Sequence, residues 1–221
     1  MGVSIRAKIK LQSRFQNPWR FSNSTTMNTT SYSTRELVLK NMICTRCLKV
    51  VRQELEHLGV EVLNLQLGKL RIRFPHEHIQ FEEIQSILSK DGFELAEGKE
   101  EIIAERIKRV LIDLVNSVSI SIEKNLSDYL CKSLNKDYWT LSKTFSKVEK
   151  MTIEKYFILL RVEKAKELIE YDEMNFSEIA FRLGYASLNH LSNQFKRVTN
   201  MSMTAYKKLE TKPRLPLDKI S

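Results

Sequence analysis

The sequence predicts an α+β chain of two domains, a small mixed domain followed by an all-α half. Three observations predict it. Short alternating apolar runs interleave with two helical periodicities between Glu36 and Glu97. Beyond Ile103 strand signals give way to apolar residues at three-and-four spacing. Within that helical stretch one pattern occurs twice, fifty residues apart.

Composition sets the frame. Of 221 residues, 42% are hydrophobic and 29% charged, an ordinary globular balance that excludes a wholly disordered or fibrous chain. No window approaches the run of about eighteen apolar residues that a membrane span requires, so no membrane partner is expected. The first twenty residues lack the apolar core of a secretory signal. Three cysteines are too few for a disulfide framework and point to a reducing, cytoplasmic compartment. The net charge of +9 divides unevenly: +6 in residues 1–35, −3 in 36–101 and +6 in 102–221. A basic C-terminal half suits a polyanion, double-stranded DNA first.

Taken in order, residues 1–34 read as a disordered basic tail, rich in Ser, Thr and Asn from Ser22 and free of acids. Such a stretch resembles a transit peptide, and Met27 offers an alternative start. The first domain runs from 35 to 97. Leu37-Val38-Leu39 is a strand core, and Val50, Val51, Leu55 and Leu58 form a helical stripe closed by Gly59. Leu63, Leu65 and Leu67 alternate with polar residues, Gly68-Lys69 turns the chain, and Leu70, Ile72 and Phe74 alternate again, which predicts a hairpin. Ile79, Ile84, Ile87 and Leu88 mark a second helix, and Phe93-Glu94-Leu95 a last strand. The order β-α-β-β-α-β is the ferredoxin-like arrangement. Ala96 to Glu100 reads as a polar join, 102–209 as the helical domain and 210–221, with Pro213 and Pro216, as a frayed tail.

In the helical domain, Leu126-Ser127-Asp128-Tyr129-Leu130, Leu141-Ser142-Lys143-Thr144-Phe145, Met151-Thr152 and Tyr156 reappear as Phe176-Ser177-Glu178-Ile179-Ala180, Leu191-Ser192-Asn193-Gln194-Phe195, Met201-Ser202 and Tyr206. Each copy is a short helix, a tight turn and a second amphipathic helix, so the half is a double helix-turn-helix. At about 100° per residue, Leu141, Phe145 and Val148 share one face of the first second-helix, and Leu188, Leu191 and Phe195 share one face of the other. Opposite them lie Trp139, Lys143 and Ser146, flanked by Ser142 and Lys147, and then Asn189, Asn193 and Lys196, flanked by Ser192 and Arg197. Amide and ammonium groups suit base edges and phosphates in a major groove. One such helix alone is as well explained by a solvated face; two tandem copies favour DNA.

The stretch Ile179-Ala180-Phe181-Arg182-Leu183-Gly184-Tyr185 followed by Leu191-Ser192-Asn193-Gln194-Phe195-Lys196-Arg197 resembles the signature of the AraC/XylS-type bacterial transcription regulators. Tyr156, Arg161, Ala165 and Leu168 are similar to that family's joining helix, and the likeness spans about Ile103 to Lys208. It implies that both second helices enter successive major-groove segments, with Trp139, Ser142 and Lys143 offered by the first copy and Asn189 and Asn193 by the second. The chain departs from the family where a customary Gly is Asn200, and Lys150 in the first copy, and where a Pro is Met203. A joining helix from Thr152 to Glu170 is about 28 Å long, near the roughly 34 Å repeat of B-DNA.

Met42-x-Cys44-x-x-Cys47 stands between the first strand and the first helix. With the element order, this resembles the heavy-metal-associated domain of soft-metal chaperones and pumps, over about Glu36 to Glu97. Thiolates select Cu(I) or similar ions, with Zn(II) the other candidate, and a helix start favours the thiolate form. Arg46 between the thiols serves thiol oxidation equally well, so three readings stand: a metal ligand pair, a thiol–disulfide sensor, or a pair that binds nothing. Phe93 is expected over the sulfurs, Cys131 as core packing and His76 and His78 as solvated loop residues. The sequence therefore predicts a non-enzymatic, sequence-specific DNA-binding transcription regulator gated by a soft metal ion or by thiol oxidation. The alternative is a thiol-redox or metal-carrier protein with a basic docking domain. Oligomeric state, operator and the sign of regulation are not written in it.

Overall fold

A computed structural model of the chain describes residues 31–42, 44–117, 120, 125–217 and 220. The expectation for the basic tail up to Thr30 lies outside the described residues. The order of elements is β1 (Tyr32–Val38), α1 (Thr45–His57), β2 (Glu61–Gln66), β3 (Lys69–Pro75), α2 (Phe81–Lys90), then helices α3 (Gly98–Asn116), α4 (Leu126–Leu134), α5 (Tyr138–Glu149), α6 (Ile153–Tyr171), α7 (Phe176–Arg182), α8 (Leu188–Thr199) and α9 (Met203–Lys207).

The mixed domain has an antiparallel sheet in the order β1-β3-β2. Leu70, Ile72 and Phe74 of β3 point to one side and are buried with Val51 and Leu55 of α1 and Ile84 and Leu88 of α2. Three expectations are corrected. The chain is already paired at Tyr32, opposite Pro75, so residues 32–34 belong to the sheet and not to the tail. Arg73 lies over the Tyr32 ring and Arg35 over Phe81, giving this early stretch side-chain partners that its polar composition conceals. In β2 a bulge falls between Val62 and Asn64, which throws Leu63 outward, 42% exposed, and breaks the Leu alternation. The expected last strand is a single bridge, Leu39 with Leu95, flanked by bonds from Lys40 N to Glu94 O (2.8 Å) and Ala96 N to Val38 O (2.8 Å). The sheet is thus three-stranded. Gly98 starts α3 three residues later, leaving no length for a longer ladder, and the polar join is the first turn of that helix.

Helices α3 to α9 share a second apolar core. Joining helix α6 runs through it and packs against α3, α5, α7, α8 and α9. It is buried nearly all round, down to Glu163, Lys164 and Lys166, and these are paired: Lys166 with Glu163 at 2.5 Å, and Lys164 with Glu167 at 2.5 Å and with Asn116 at 3.1 Å. The C-terminal stretch is docked, not frayed. Arg214 pairs with Glu167 at 2.7 Å and Glu170 at 3.1 Å, Leu215 N donates to Glu163 at 3.1 Å, and the Tyr206 hydroxyl donates to Pro213 O at 3.2 Å. The acids of one face of α6 hold it there.

Candidate nucleic-acid interface and cysteine pair

The repeat in the sequence is a repeat in local physics. Asn125, Asp137 and Thr152 cap α4, α5 and α6; fifty residues on, Asn175, Ser187 and Ser202 cap α7, α8 and α9, each side chain accepting a backbone N–H of the first turn. Lys150 and Asn200 end α5 and α8 in the left-handed region, at φ 58° and 60°. Phe145 meets Tyr156 at 5.4 Å between ring centroids, and Phe195 meets Tyr206 at 5.5 Å. All four rings are fully buried, so each second helix is locked to the element after it by an equivalent aromatic pair, tilted at 59° in the first unit and edge-on at 73° in the second.

The turns differ in means. Asn135, at φ 51°, closes α4, whereas Gly184, at φ 68°, follows α7. A Cβ on Gly184 would lie 3.1 Å from Ile120, whose N–H donates to Arg182 O, so both its φ and the close approach require glycine. Arg161 of α6 fixes the second unit: its guanidinium lies 4.7 Å from the Phe157 ring and 4.2 Å from the Tyr185 ring. Burial lowers its pKa, opposed by the field of Tyr185.

With Leu141, Phe145, Leu191 and Phe195 buried, the opposite faces are turned outward. On α5, Trp139 is 70% exposed, and the Lys143 ammonium sits 4.7 Å over its ring. Ser142 is half-buried. Lys147 is exposed but ion-paired, 2.8 Å from Glu100 in the first turn of α3, a partner 47 residues away that no local pattern announces. On α8, Asn189, Asn193, Lys196 and Arg197 are exposed, while half-buried Ser192 donates to the Met203 sulfur at 3.6 Å. Leu188, expected in the apolar stripe, is 37% exposed, because it is the first residue of α8, whose buried residues are Leu191 and Phe195. Val148 and Cys131 are likewise half-buried.

At the other end of the chain, Cys44 caps α1 and is exposed; Cys47 is half-buried. Their sulfurs are 3.4 Å apart. The Cys47 amide lowers the Cys44 pKa below that of a free thiol, against a smaller upward push from burial, and the Cys47 thiol and the amide and charge of Arg46 lower it further. Phe93 is 6% exposed and belongs to the apolar core of the domain. It is the Gly92 carbonyl that reaches the thiol loop, accepting from Asn41 at 3.0 Å. Met42 is buried, and its sulfur accepts from Gly68 N at 3.2 Å. His76 and His78 are exposed. No cluster of three or more His, Cys, Asp or Glu side chains suited to a metal occurs among the described residues, so the donor set is the two sulfurs.

Sequence reasoning missed Arg109. It lies in a cleft of about 300 Å³ where Met42, Leu67 and Gly68 face α3, and its Nε is 3.7 Å from where a Gly68 Cβ would stand. Nε and Nη1 are sealed from water and donate to nothing among the described residues. Burial lowers its pKa, opposed by the fields of Asp113, Glu105 and the Cys47 sulfur. A basic residue on a helix carries no mark in sequence of what a distant hairpin turn will cover.

Residues 130–209 match a family model described as a helix-turn-helix domain. The chain is 24% identical over 123 residues to the uncharacterized HTH-type transcriptional regulator YdeC of Bacillus subtilis (strain 168), covering 55% of this chain and 41% of that one. It is 33% identical over 63 residues to the HTH-type transcriptional activator RhaS of Escherichia coli (strain K12 / DH10B), covering 28% of this chain and 23% of that one. The chain thus spans less than half the length of the curated relatives it matches. Among solved structures, it is similar to the C-terminal domain of AraT, a response regulator from Geobacillus stearothermophilus, with a TM-score of 0.42 and 23% identity over 48% of this chain and 84% of that one. Among the described residues no helix is long and apolar enough to cross a membrane.

Proposed function

We propose that this chain, whose residues 130–209 match a helix-turn-helix family model, is a sequence-specific DNA-binding transcription regulator of the AraC type. One observation carries the reading: α5 and α8, one before and one after a single 19-residue helix in the chain, turn two outward polar faces built by equivalent caps and aromatic pairs fifty residues apart. That helix is about 28 Å long, so both faces suit one side of a gently bent duplex. In this reading Trp139, Ser142 and Lys143 on α5 and Asn189, Ser192 and Asn193 on α8 meet base edges, and Lys147, Lys196 and Arg197 meet phosphates. The relatives named as transcriptional regulators support it.

The deciding experiment selects bound fragments from random double-stranded DNA with the full chain and compares the preferred site with its scrambled sequence. A preference of about a thousandfold or more is expected. Equal binding to both overturns the reading and leaves a basic docking surface.

We further propose that the mixed domain is a heavy-metal-associated-like sensor in which Cys44 and Cys47 hold a soft cation, Cu(I) or Zn(II), and gate DNA binding. Support comes from the 3.4 Å separation of the sulfurs, the lowered Cys44 pKa and the placement of the pair at a helix start. When bound, the ion supplies a fixed charge and a crosslink between the two thiolates. Gating demands that the loaded and free forms differ in DNA affinity. Titrating Cu(I), Zn(II) and peroxide while following the selected site tests it: Cys44→Ala and Cys47→Ala abolish the response, and a response identical to wild type in both variants sinks the sensor.

A further inference from the structure

We propose that the cleft between the β2–β3 turn and α3, bounded on a third side by the end of α4, is a binding site for an amphipathic monoanion, a carboxylate carried on a short aliphatic chain. Binding at this cleft stands apart from the DNA-binding reading; its effect on DNA rests on that reading. The cleft has a volume of about 300 Å³ and is lined by residues of the mixed domain, of α3 and of the first helix-turn-helix unit. Small-molecule sites reach down to about this size and favour places where domains meet. The mixed domain is tied to α3 by Lys40, which pairs with Glu101 at 2.9 Å.

Both halves of such a ligand find a match. Val38, Leu67, Val110 and Leu134 line the cleft half-buried, so an aliphatic chain laid among them completes their removal from water. The polar match is Arg109. Asp113 is its counter-charge through space, and Glu105 is engaged by Lys108 at 2.7 Å. Hydrogen bonding is what the guanidinium lacks: Nε and Nη1 are sealed from water and donate to nothing among the described residues. A buried N–H without an acceptor costs free energy, and a carboxylate accepts from two N–H groups of a guanidinium side by side. No hydrogen bond holds those two groups in place, so a small turn of the side chain presents them to the cleft. Charge sets the sign of the ligand. Lys69, Arg106, Lys108 and Arg109 line the cleft with Glu105; with Glu149, which pairs with Lys108 at 3.3 Å, and Asp113, four positive charges stand against three negative. One anionic charge fills the difference. Occupancy also bears on the reading helices. Leu134 is the last residue of α4, Asn135 turns the chain at φ 51°, and α5 begins at Tyr138, so a chain lodged between Leu67 and Leu134 presses on the turn that sets α5.

The probe is octanoate, titrated calorimetrically into the full chain beside hexanoate and octan-1-ol. Affinity is expected to rise about fourfold for each methylene between hexanoate and octanoate. The alcohol is expected to bind about tenfold more weakly than octanoate, the scale of one charge-assisted hydrogen bond. Arg109→Gln lowers octanoate affinity by the same factor of about ten. Ser133→Trp, at an exposed position on the rim, blocks the cleft and abolishes binding with the melting temperature unchanged. Should the Gln variant not fold, the Trp variant decides. No octanoate binding, equal binding of acid and alcohol, or wild-type octanoate binding in either folded variant overturns the site. On the selected DNA site, octanoate shifts affinity about fivefold or more, and DNA shifts octanoate affinity by the same factor. Octanoate binding that both variants weaken, without any shift in DNA affinity, supports the site and overturns its link to DNA. If no DNA site is selected, the DNA reading falls and the calorimetric comparison still decides the cleft.

Discussion

Lys150 closes α5 with φ 58°, where a Cβ is strained, and its ammonium donates to Lys147 O at 2.8 Å. Lys150→Gly is therefore expected to stabilise the chain by about 1 kcal/mol in chemical denaturation, while Asn200→Gly, starting from a residue that tolerates this region, changes stability by less. On the outward faces, Asn193→Ala and Lys143→Ala are each expected to weaken a preferred DNA site by about 1–3 kcal/mol in a binding titration. Glu100→Gln frees Lys147 from its ion pair and is expected to tighten DNA binding while steepening its salt dependence. Residues whose role depends on helical period were legible in the sequence: Leu141, Phe145, Leu191 and Phe195 inward, Trp139, Lys143, Asn189 and Asn193 outward. Lys147 with Glu100, and Arg109 with Gly68, were not, because the partners are distant in the chain and only packing brings them together.

Each helix of the repeated unit has a polar start, and the starts are unequal. Asn175 has a full capping box, receiving the N–H groups of Ser177 and Glu178 while the Glu178 side chain accepts Asn175 N–H at 2.7 Å. Asn175→Ala is expected to lower stability by about 1 kcal/mol, and for a helix of seven residues that loss is felt as fraying of α7 in hydrogen exchange. Tyr206, in α9, couples this unit to pH. Burial first, then the fields of Glu163 and Glu170, push its pKa up to about 12 from the ordinary 10. Between those values the folded chain keeps a proton the unfolded chain has released, so the contribution is whole below pH 10 and is lost as pH rises toward 12. Tyr206→Phe is expected to flatten the stability profile across that window. Strand β3 and the helices were legible because their periods are unbroken. The bulge at Leu63 and the single bridge at Leu95 were not, since one inserted residue and an early helix start leave the composition of a strand unchanged.

Over the whole molecule, the described residues form two separate apolar cores, one in the mixed domain and one in the helical half, and residues 210–217 return to α6. Proline and charge in residues 210–217 gave every local sign of a free end; the return depends on Glu163, Glu167 and Glu170 presenting one acidic edge to Arg214. Arg214→Ala is expected to cost about 1 kcal/mol, discounted from a fully buried charged bond because the guanidinium is one-third exposed.

The unbroken course of α6 makes it a ruler. In the proposed reading, nothing between its ends flexes to suit a different spacing, so phase is dictated to the duplex and not negotiated with it. One residue inserted near its middle swings the second reading head by about 100° and off the groove. Seven residues return it to nearly the same azimuth but about 10.5 Å farther on, the length of roughly three base pairs at about 3.4 Å each. Three base pairs also turn the duplex by about 100°, at about 10–10.5 base pairs per turn, so an operator lengthened by three letters presents its second half out of phase with the elongated chain.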